Sequence, residues 1–274
     1  MLRQRVITAI LLAVGLVAGV IWLPGIAFAA AMLGVILLGA WEWGRLCGLQ
    51  ARPQLGLYVL ALGAMALGSG QLVFGLGLVW PVAVAVLWWP LVVAGLAIYH
   101  PGHPLLQGGR RAPLLGLAGV LTLIPAWLAL VWLHQAHPLL VLYLILLTAS
   151  ADTAAYFTGR RFGRTRLAPE ISPGKTREGL LGALLGTLPV ALLGIWALEV
   201  TPPLGLYFAA LCMITVLVSV AGDLFESVLK REAGAKDSGT LLPGHGGILD
   251  RIDSLTAAAP IFLAGLIWGG IVAR

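Results

Sequence analysis

Nine apolar stretches, parted by short polar breaks, take up most of this 274-residue chain and leave it few ways to fold. They are residues 6–23, 26–45, 55–70, 78–98, 114–133, 138–158, 180–199, 204–221 and 255–272. A helix needs about 17–25 apolar residues to cross a bilayer, and inside the bilayer each backbone polar group must find its partner within the protein. Hydrophobic residues make up 60% of the chain and charged ones 10%, against about 25% charge in an ordinary soluble domain. The sequence therefore predicts an all-α polytopic membrane protein with about nine transmembrane helices. The third stretch is the weakest, being short and rich in glycine.

Charge sets the expected orientation. With the N terminus cytoplasmic, the inside segments are 1–5, 46–54, 99–113, 159–179 and 222–254. Of the 17 Lys and Arg residues, 15 then lie in these segments, Arg45 ends the second stretch on the same side, and only Arg274 lies outside. That bias matches the excess of cations in cytoplasmic loops. The formal charge of +6 suits anionic membrane lipid. No module for a nucleic-acid polymer accompanies it, so that partner is excluded. Ala27-Phe28-Ala29 resembles a signal-peptidase site, but the apolar run before it is long and apolar sequence resumes at once, so the first helix is expected to be retained. The chain divides into N-terminal helices, 1–113, and a C-terminal catalytic region, 114–274, whose site loops are 159–179 and 222–254.

Several residues have plain structural readings. Trp22, Trp41, Trp43, Trp80, Trp132, Trp196 and Trp268 lie near expected helix ends and read as interfacial anchors. His134 and His137 flank an outer turn and read the same way. His100, His103, Arg110 and Arg111 read as part of a mobile basic loop. Cys47 and Cys212 match no metal spacing and read as small apolar fillers. Gly182 and Gly186, four apart, fit close helix packing.

Two polar clusters stand out. The sixth stretch carries Asp152 with Thr148 and Tyr156 four residues to either side, on one helical face. A lone acid at mid-membrane costs about 2.5–3.5 kcal/mol, so it should face the bundle interior or a wet cavity. Next comes Ser172-Pro-Gly-Lys-Thr-Arg-Glu-Gly179. It is no phosphate loop of the Walker type, since Pro169 stands where the earlier glycine is needed. Ser172, Lys175, Thr176 and Arg177 at a helix start still make a phosphate cradle.

The second cluster, Gly222 to Asp253, holds six of the 11 acidic residues. Asp223, Glu226, Ser227 and Lys230 form one helical stripe, which extends the eighth helix beyond its apolar part. Lys236, Asp237, the glycine-rich run Pro243–Gly247 and then Asp250, Arg251 and Asp253 follow. Carboxylates among Lys and Arg at membrane level suit a magnesium-bound polyphosphate. His245 stands alone in its loop, and no Cys/His set suggests zinc.

From Ser227 to Asp253 the pattern S-x-L-K-R-x4-K-D-x-G-x2-L-P-x-H-G-G-I-x-D-R-I-D resembles the signature of phosphatidate cytidylyltransferases, the CDP-diacylglycerol synthases. SADTAAYFTGRRFG and SPGKTREG also resemble upstream segments of that family. The likeness covers roughly the C-terminal half; the rest is similar only in being polytopic. The resemblance implies a magnesium-dependent enzyme of phospholipid biosynthesis in the bacterial inner membrane, with its site on the cytoplasmic side. CTP and phosphatidate would give CDP-diacylglycerol and pyrophosphate. On that footing Asp223 and Asp250 are the expected metal ligands, with Asp253 or Glu226 as lesser candidates. Lys230, Lys236 and Arg251 would contact phosphates, and His245 would contact a phosphate or orient its loop. Ser172, Lys175, Arg177, Ser227, Asp237 and Asp152 complete the expected substrate contacts, and a homodimer is compatible with all of this. A CTP-dependent polyisoprenoid kinase is the rival enzyme. A transporter of an anionic solute is the rival outside enzymes, but its charges should sit near mid-membrane.

Overall fold

The computed structural model describes residues 13–75, 80–100, 111–241, 244 and 246–272. Within them the chain forms helices α1 (Ala13–Trp22), α2 (Gly25–Leu46), α3 (Arg52–Gly70), α4 (Trp80–Ile98), α5 (Arg111–Ala136) and α6 (Pro138–Phe162). A two-stranded antiparallel hairpin follows, β1 (Arg166–Ala168) and β2 (Ser172–Thr176). Helices α7 (Arg177–Ala197), α8 (Pro202–Glu232) and α9 (Leu249–Trp268) complete the fold. Seven of these helices, α2, α3 and α5–α9, are long and apolar enough to cross a membrane. The expected all-α polytopic architecture is therefore what is seen.

The boundaries follow local chemistry. Pro24 precedes α2 and Pro138 opens α6, where a missing N–H costs nothing. His137 caps α6 by accepting from the Leu139 N–H at 3.3 Å. Helix α3 does not stop at Gly70 but runs on as a π-helical turn, Gln71–Gly75. Helix α8 passes well beyond its apolar part, as the polar stripe requires, and ends before Gly234, whose φ of 66° is a left-handed conformation natural to glycine.

In lipid, helix association rests on close packing and interhelical hydrogen bonds rather than on a hydrophobic drive. Helices α5 and α9 are the most buried and form the centre of the bundle. At the α6–α7 seam, a Cβ at Gly182 would strike Thr158 and one at Gly186 would strike Ala154, so the small residues set the helix separation. Hydrogen bonds tie other seams. Trp127 Nε1 donates to the Ala29 carbonyl at 2.9 Å, and Tyr207 Oη donates to that of Gly265 at 2.7 Å. Each is worth about 0.6 kcal/mol in a membrane bundle. Exposed leucines such as Leu60, Leu87, Leu185 and Leu206 cover the outside, as a lipid-facing surface requires.

Four expectations change. Trp43 is no interfacial anchor: it is 2% exposed and donates to the Leu115 carbonyl at 2.8 Å. His134 is buried, stacked on Phe28 and hydrogen-bonded through Nε2 to the Val20 carbonyl. Both lie on the inner face of their helices, and position along a helix does not reveal that. The segment expected as a loop at 159–179 contains the hairpin. Cys47 and Cys212 are buried as expected, and burial pushes the Cys47 thiol up to about 12, which keeps it an inert thiol. His103 and Arg110, and the side chain of Trp80, lie outside the described residues. Arg111 is anchored instead, 3.2 Å from the Glu232 carboxylate at the end of α8. Tyr99 donates to the same carboxylate at 2.7 Å, its phenol pushed up to about 12 by burial and by Glu232.

Candidate active site

The hairpin has too few residues to be stable alone, and it is fastened at both ends. The Arg177 N–H donates to the Thr165 carbonyl at 2.9 Å. The Glu178 carboxylate accepts from the N–H groups of Arg164 and Thr165. Thr176 caps α7, its Oγ1 accepting from the Gly179 N–H at 3.0 Å. At the tip, Ile171 is buried against Tyr99, Leu224 and Val228, and Arg231 Nε donates to its carbonyl at 3.3 Å. These ties fix Lys175, on β2, against α8.

Lys175 Nζ lies 2.6 Å from Asp223 Oδ2. The pair borders a cavity of about 580 Å³ between α6, the hairpin, the start of α7 and α8. Asp152, Tyr156, Arg160 and Arg166 line the same cavity. Asp152 lies within electrostatic reach of both Lys175 and Asp223. Three expected residues from three separate segments thus meet in one place, with two further arginines that the sequence reading did not single out. Ser172 and Arg177 flank Lys175 and Thr176 on the hairpin and α7, with Arg177 exposed.

The second centre lies along the same face of α8. Lys230 Nζ sits 2.7 Å from Asp250 Oδ1 and 3.1 Å from Glu226 Oε1. Glu226 is 2% exposed, and among the described residues neither of its oxygens meets a well-aligned hydrogen-bond donor. Its contact with Lys230 is a charge contact without hydrogen-bond geometry. Asp250 is the opposite case. Oδ2 accepts from the Ser238 N–H, the Ser238 hydroxyl and the Gly247 N–H at 2.8–2.9 Å, so only Oδ1 keeps a spare lone pair. Gly246 makes this turn possible with a φ of 82°.

Asp253, one turn further along α9, joins the two centres. It feels the charges of Asp223, Lys230 and Lys175. Gly222 lets α9 approach at that level, since a Cβ there would meet the Asp253 carbonyl and the Ala257 side chain. Ser227 reaches Asp223 only weakly, at 3.4 Å. Lys236 and Asp237 are exposed on the loop ahead of Ser238. Arg251 lines an apolar cavity of about 320 Å³, with Ile248, Ile252 and Leu255. His245 lies outside the described residues. The sequence reading missed Glu42 of α2, whose carboxylate accepts from Ser238, Ile248 and Leu249. The signal was present, because Glu42 is the sole acidic residue before Asp152.

Among the described residues no three acidic, His or Cys side chains converge on a preformed metal site. Magnesium does not require one: it is commonly held by one or two carboxylates with the substrate's phosphates and water supplying the rest. The neighbouring carboxylates Asp223 and Asp253, with the Glu226 carboxylate beside Lys230, fit that mode. What the arrangement can do chemically is hold a polyphosphate between Lys175 and Lys230 while carboxylates carry a hard cation.

Comparison with known proteins points the same way. The sequence profile of the cytidylyltransferase family matches residues 3–267. A phosphatidate cytidylyltransferase of Pseudomonas aeruginosa is 42% identical over 98% of this chain and 97% of its own. One from Haemophilus influenzae is 39% identical over 96% of this chain and 97% of its own. A shorter stretch, 47% of this chain, is 48% identical to 42% of the uncharacterized protein YnbB of Escherichia coli.

Proposed function

Because the chain belongs to the cytidylyltransferase family, we infer that it is an integral membrane enzyme that transfers CMP from CTP to phosphatidate. The products are CDP-diacylglycerol and pyrophosphate. The observation that carries the site assignment is the Lys175–Asp223 pair at 2.6 Å on the wall of the 580 Å³ cavity. The site opens to the cytoplasm, where CTP is available, in the inner membrane of a bacterial cell, with the N terminus on the same side.

A phosphatidate phosphate oxygen attacks the α-phosphorus of CTP. The bond from that phosphorus to the bridging oxygen breaks, and pyrophosphate leaves with the electron pair. A phosphate monoester has a second pKa of about 6, so the nucleophile is already largely dianionic and needs no strong base. The difficulty is bringing two anions together. Lys175, Arg160 and Arg166 hold the CTP phosphates in the cavity. Lys230, fixed between Glu226 and Asp250, faces the developing charge on the leaving group. Arg251 guides the phosphatidate phosphate toward CTP, with an acyl chain running into the apolar cavity that Arg251 borders. Asp223 and Asp253, with Glu226 beside them, would hold magnesium. When bound, that ion would neutralise phosphate charge and help set the in-line geometry. Asp250 has the smaller share, since three donors already fill Oδ2.

The test is an assay of purified protein in mixed micelles with CTP labelled at the cytidine, phosphatidate, and magnesium present or chelated. Pyrophosphate and a cytidine-bearing lipid are expected only with all three. Release of CDP with a phosphorylated lipid product would identify a kinase instead and overturn the reading.

A further inference from the structure

Glu42 is 2% exposed and belongs to α2, far in sequence from the residues that bind phosphate. Oε2 accepts from the Leu249 N–H at 2.8 Å and from the Ser238 hydroxyl at 3.0 Å, and Oε1 accepts from the Ile248 N–H at 3.1 Å. Ile248 and Leu249 open α9, which has no side-chain cap of its own. A helix start leaves its first N–H groups without partners and favours negative charge. Glu42 meets both needs from a helix 206 residues earlier.

The tie reaches further. The hydroxyl of Ser238, which donates to Glu42, also lies 2.9 Å from Asp250 Oδ2, and Asp250 Oδ1 holds Lys230 at 2.7 Å. A hydroxyl has one proton, so Glu42 and Asp250 share it. The run Glu42–Ser238–Asp250–Lys230 is continuous. Gly239 and Gly247 close round it, because a Cβ on either would strike the Glu42 carboxylate. Every hydrogen bond that the Glu42 side chain accepts among the described residues goes to this turn or to the start of α9. None goes to α3 or α5, which also pack on α2. Its removal should therefore release the turn and leave the bundle standing.

We propose that Glu42 is a positioning residue for cytidylyl transfer. It fixes Ser238 and the start of α9 so that Asp250 holds Lys230 toward the phosphates, and it does not touch substrate. The proposal rests on the reading that Lys230 belongs to the transfer site.

The experiment compares E42Q, S238A and the double variant with the wild type, as full-length protein in detergent. Pyrophosphate release gives kcat and KM, and amide hydrogen exchange reports on residues 236–250. Gln keeps the shape but turns an NH2 group toward one of the N–H donors. For E42Q, kcat should fall about 10–100-fold with KM for phosphatidate within about twofold, the size expected when a group orienting a catalytic side chain is lost. Exchange should quicken at Ser238, Gly247, Ile248 and Leu249 and stay slow in α2 and α5. The double variant should be no worse than the weaker single one, since both cut the same run. S238A breaks the run without removing the carboxylate, so it decides the matter if E42Q does not fold. Wild-type kcat in either folded variant, fully additive losses, or faster exchange throughout α2 and α5 would overturn the proposal. A wild type that makes no pyrophosphate would defeat the functional reading instead, and exchange at 236–250 would still test the tie.

Discussion

The Lys175–Asp223 pair separates a structural ion pair from a catalytic one. At 2.6 Å, unit charges attract by about 6 kcal/mol at an effective dielectric near ~20. Desolvation and side-chain ordering cancel most of that. The two side chains are 25% and 32% exposed, and exposed pairs net only about 0–1 kcal/mol. Lys175→Met should therefore lower unfolding stability by about 1 kcal/mol. If Lys175 also holds the CTP phosphates, the same change removes a cation aimed at developing charge. Losses of that kind are about 10²–10³-fold in kcat, or roughly 2.7–4 kcal/mol. The catalytic effect then exceeds the structural one severalfold. The swap Lys175→Asp with Asp223→Lys restores the attraction and reverses its direction. It should regain the unfolding midpoint of the wild type while staying at least about 100-fold down in pyrophosphate release. Recovery of the swapped protein to within tenfold of wild type would show that the pair only staples the hairpin to α8, and the site assignment would fail.

Other expectations follow from single contacts. Asp152→Asn removes a charge facing Lys175 and should cost about tenfold in kcat/KM for CTP, equal to about 1.4 kcal/mol; an unchanged value places Asp152 outside the site. Gly182→Val forces a side chain into Thr158 and should lower stability by about 1–3 kcal/mol, read as an earlier thermal unfolding in detergent. Ile252→Trp fills the apolar cavity beside Arg251. It should raise KM for phosphatidate about tenfold, some 1.4 kcal/mol, with KM for CTP unaltered; the reverse pattern would remove the acyl chain from that cavity. Trp43→Phe keeps the ring but loses the bond to the Leu115 carbonyl, and should cost about 1 kcal/mol of stability.

The spans were legible because length and apolarity are direct consequences of the bilayer. The stripe on α8 was legible because Asp223, Glu226, Ser227 and Lys230 repeat with the helix, and the structure does line Asp223, Glu226 and Lys230 along the ion pairs of the two centres. The hairpin was not legible. Its strands have three and five residues, too short for an alternating pattern, and Pro169, Pro173 and Gly174 suggest only a loop. Trp43 and His134 were misread because their facing within the bundle depends on which helices are neighbours. Glu42 is different: the reasoning that singled out Asp152, that an acid in an apolar helix must have a partner, applies equally to it. Its partners are backbone N–H groups and one hydroxyl, which no charge pattern reveals. Asp250 was recognised as important for its charge, while its engagement by Ser238 and Gly247 depends on a turn built from glycines.

The two halves of the site are stiffened in different ways, and their chemistry explains why. On the proposed reading Lys175 meets a soluble, highly charged nucleotide that enters and leaves. It is carried on a hairpin held by hydrogen bonds to Glu178 and Arg231 at an exposed margin. Asp250 and Asp253 stand on α9, one of the two most buried of the membrane-length helices, and the lipid substrate stays in the membrane beside it. A reaction between these substrates needs both frames in fixed relation, because a misplacement of about 1 Å can cost 100-fold. Helix α8 supplies that relation. One rigid stretch carries Asp223 to Lys175 and Glu226 and Lys230 to Asp250, two helical turns apart. Continuing the helix beyond its apolar part is thus what joins the hairpin and the start of α9 into one site.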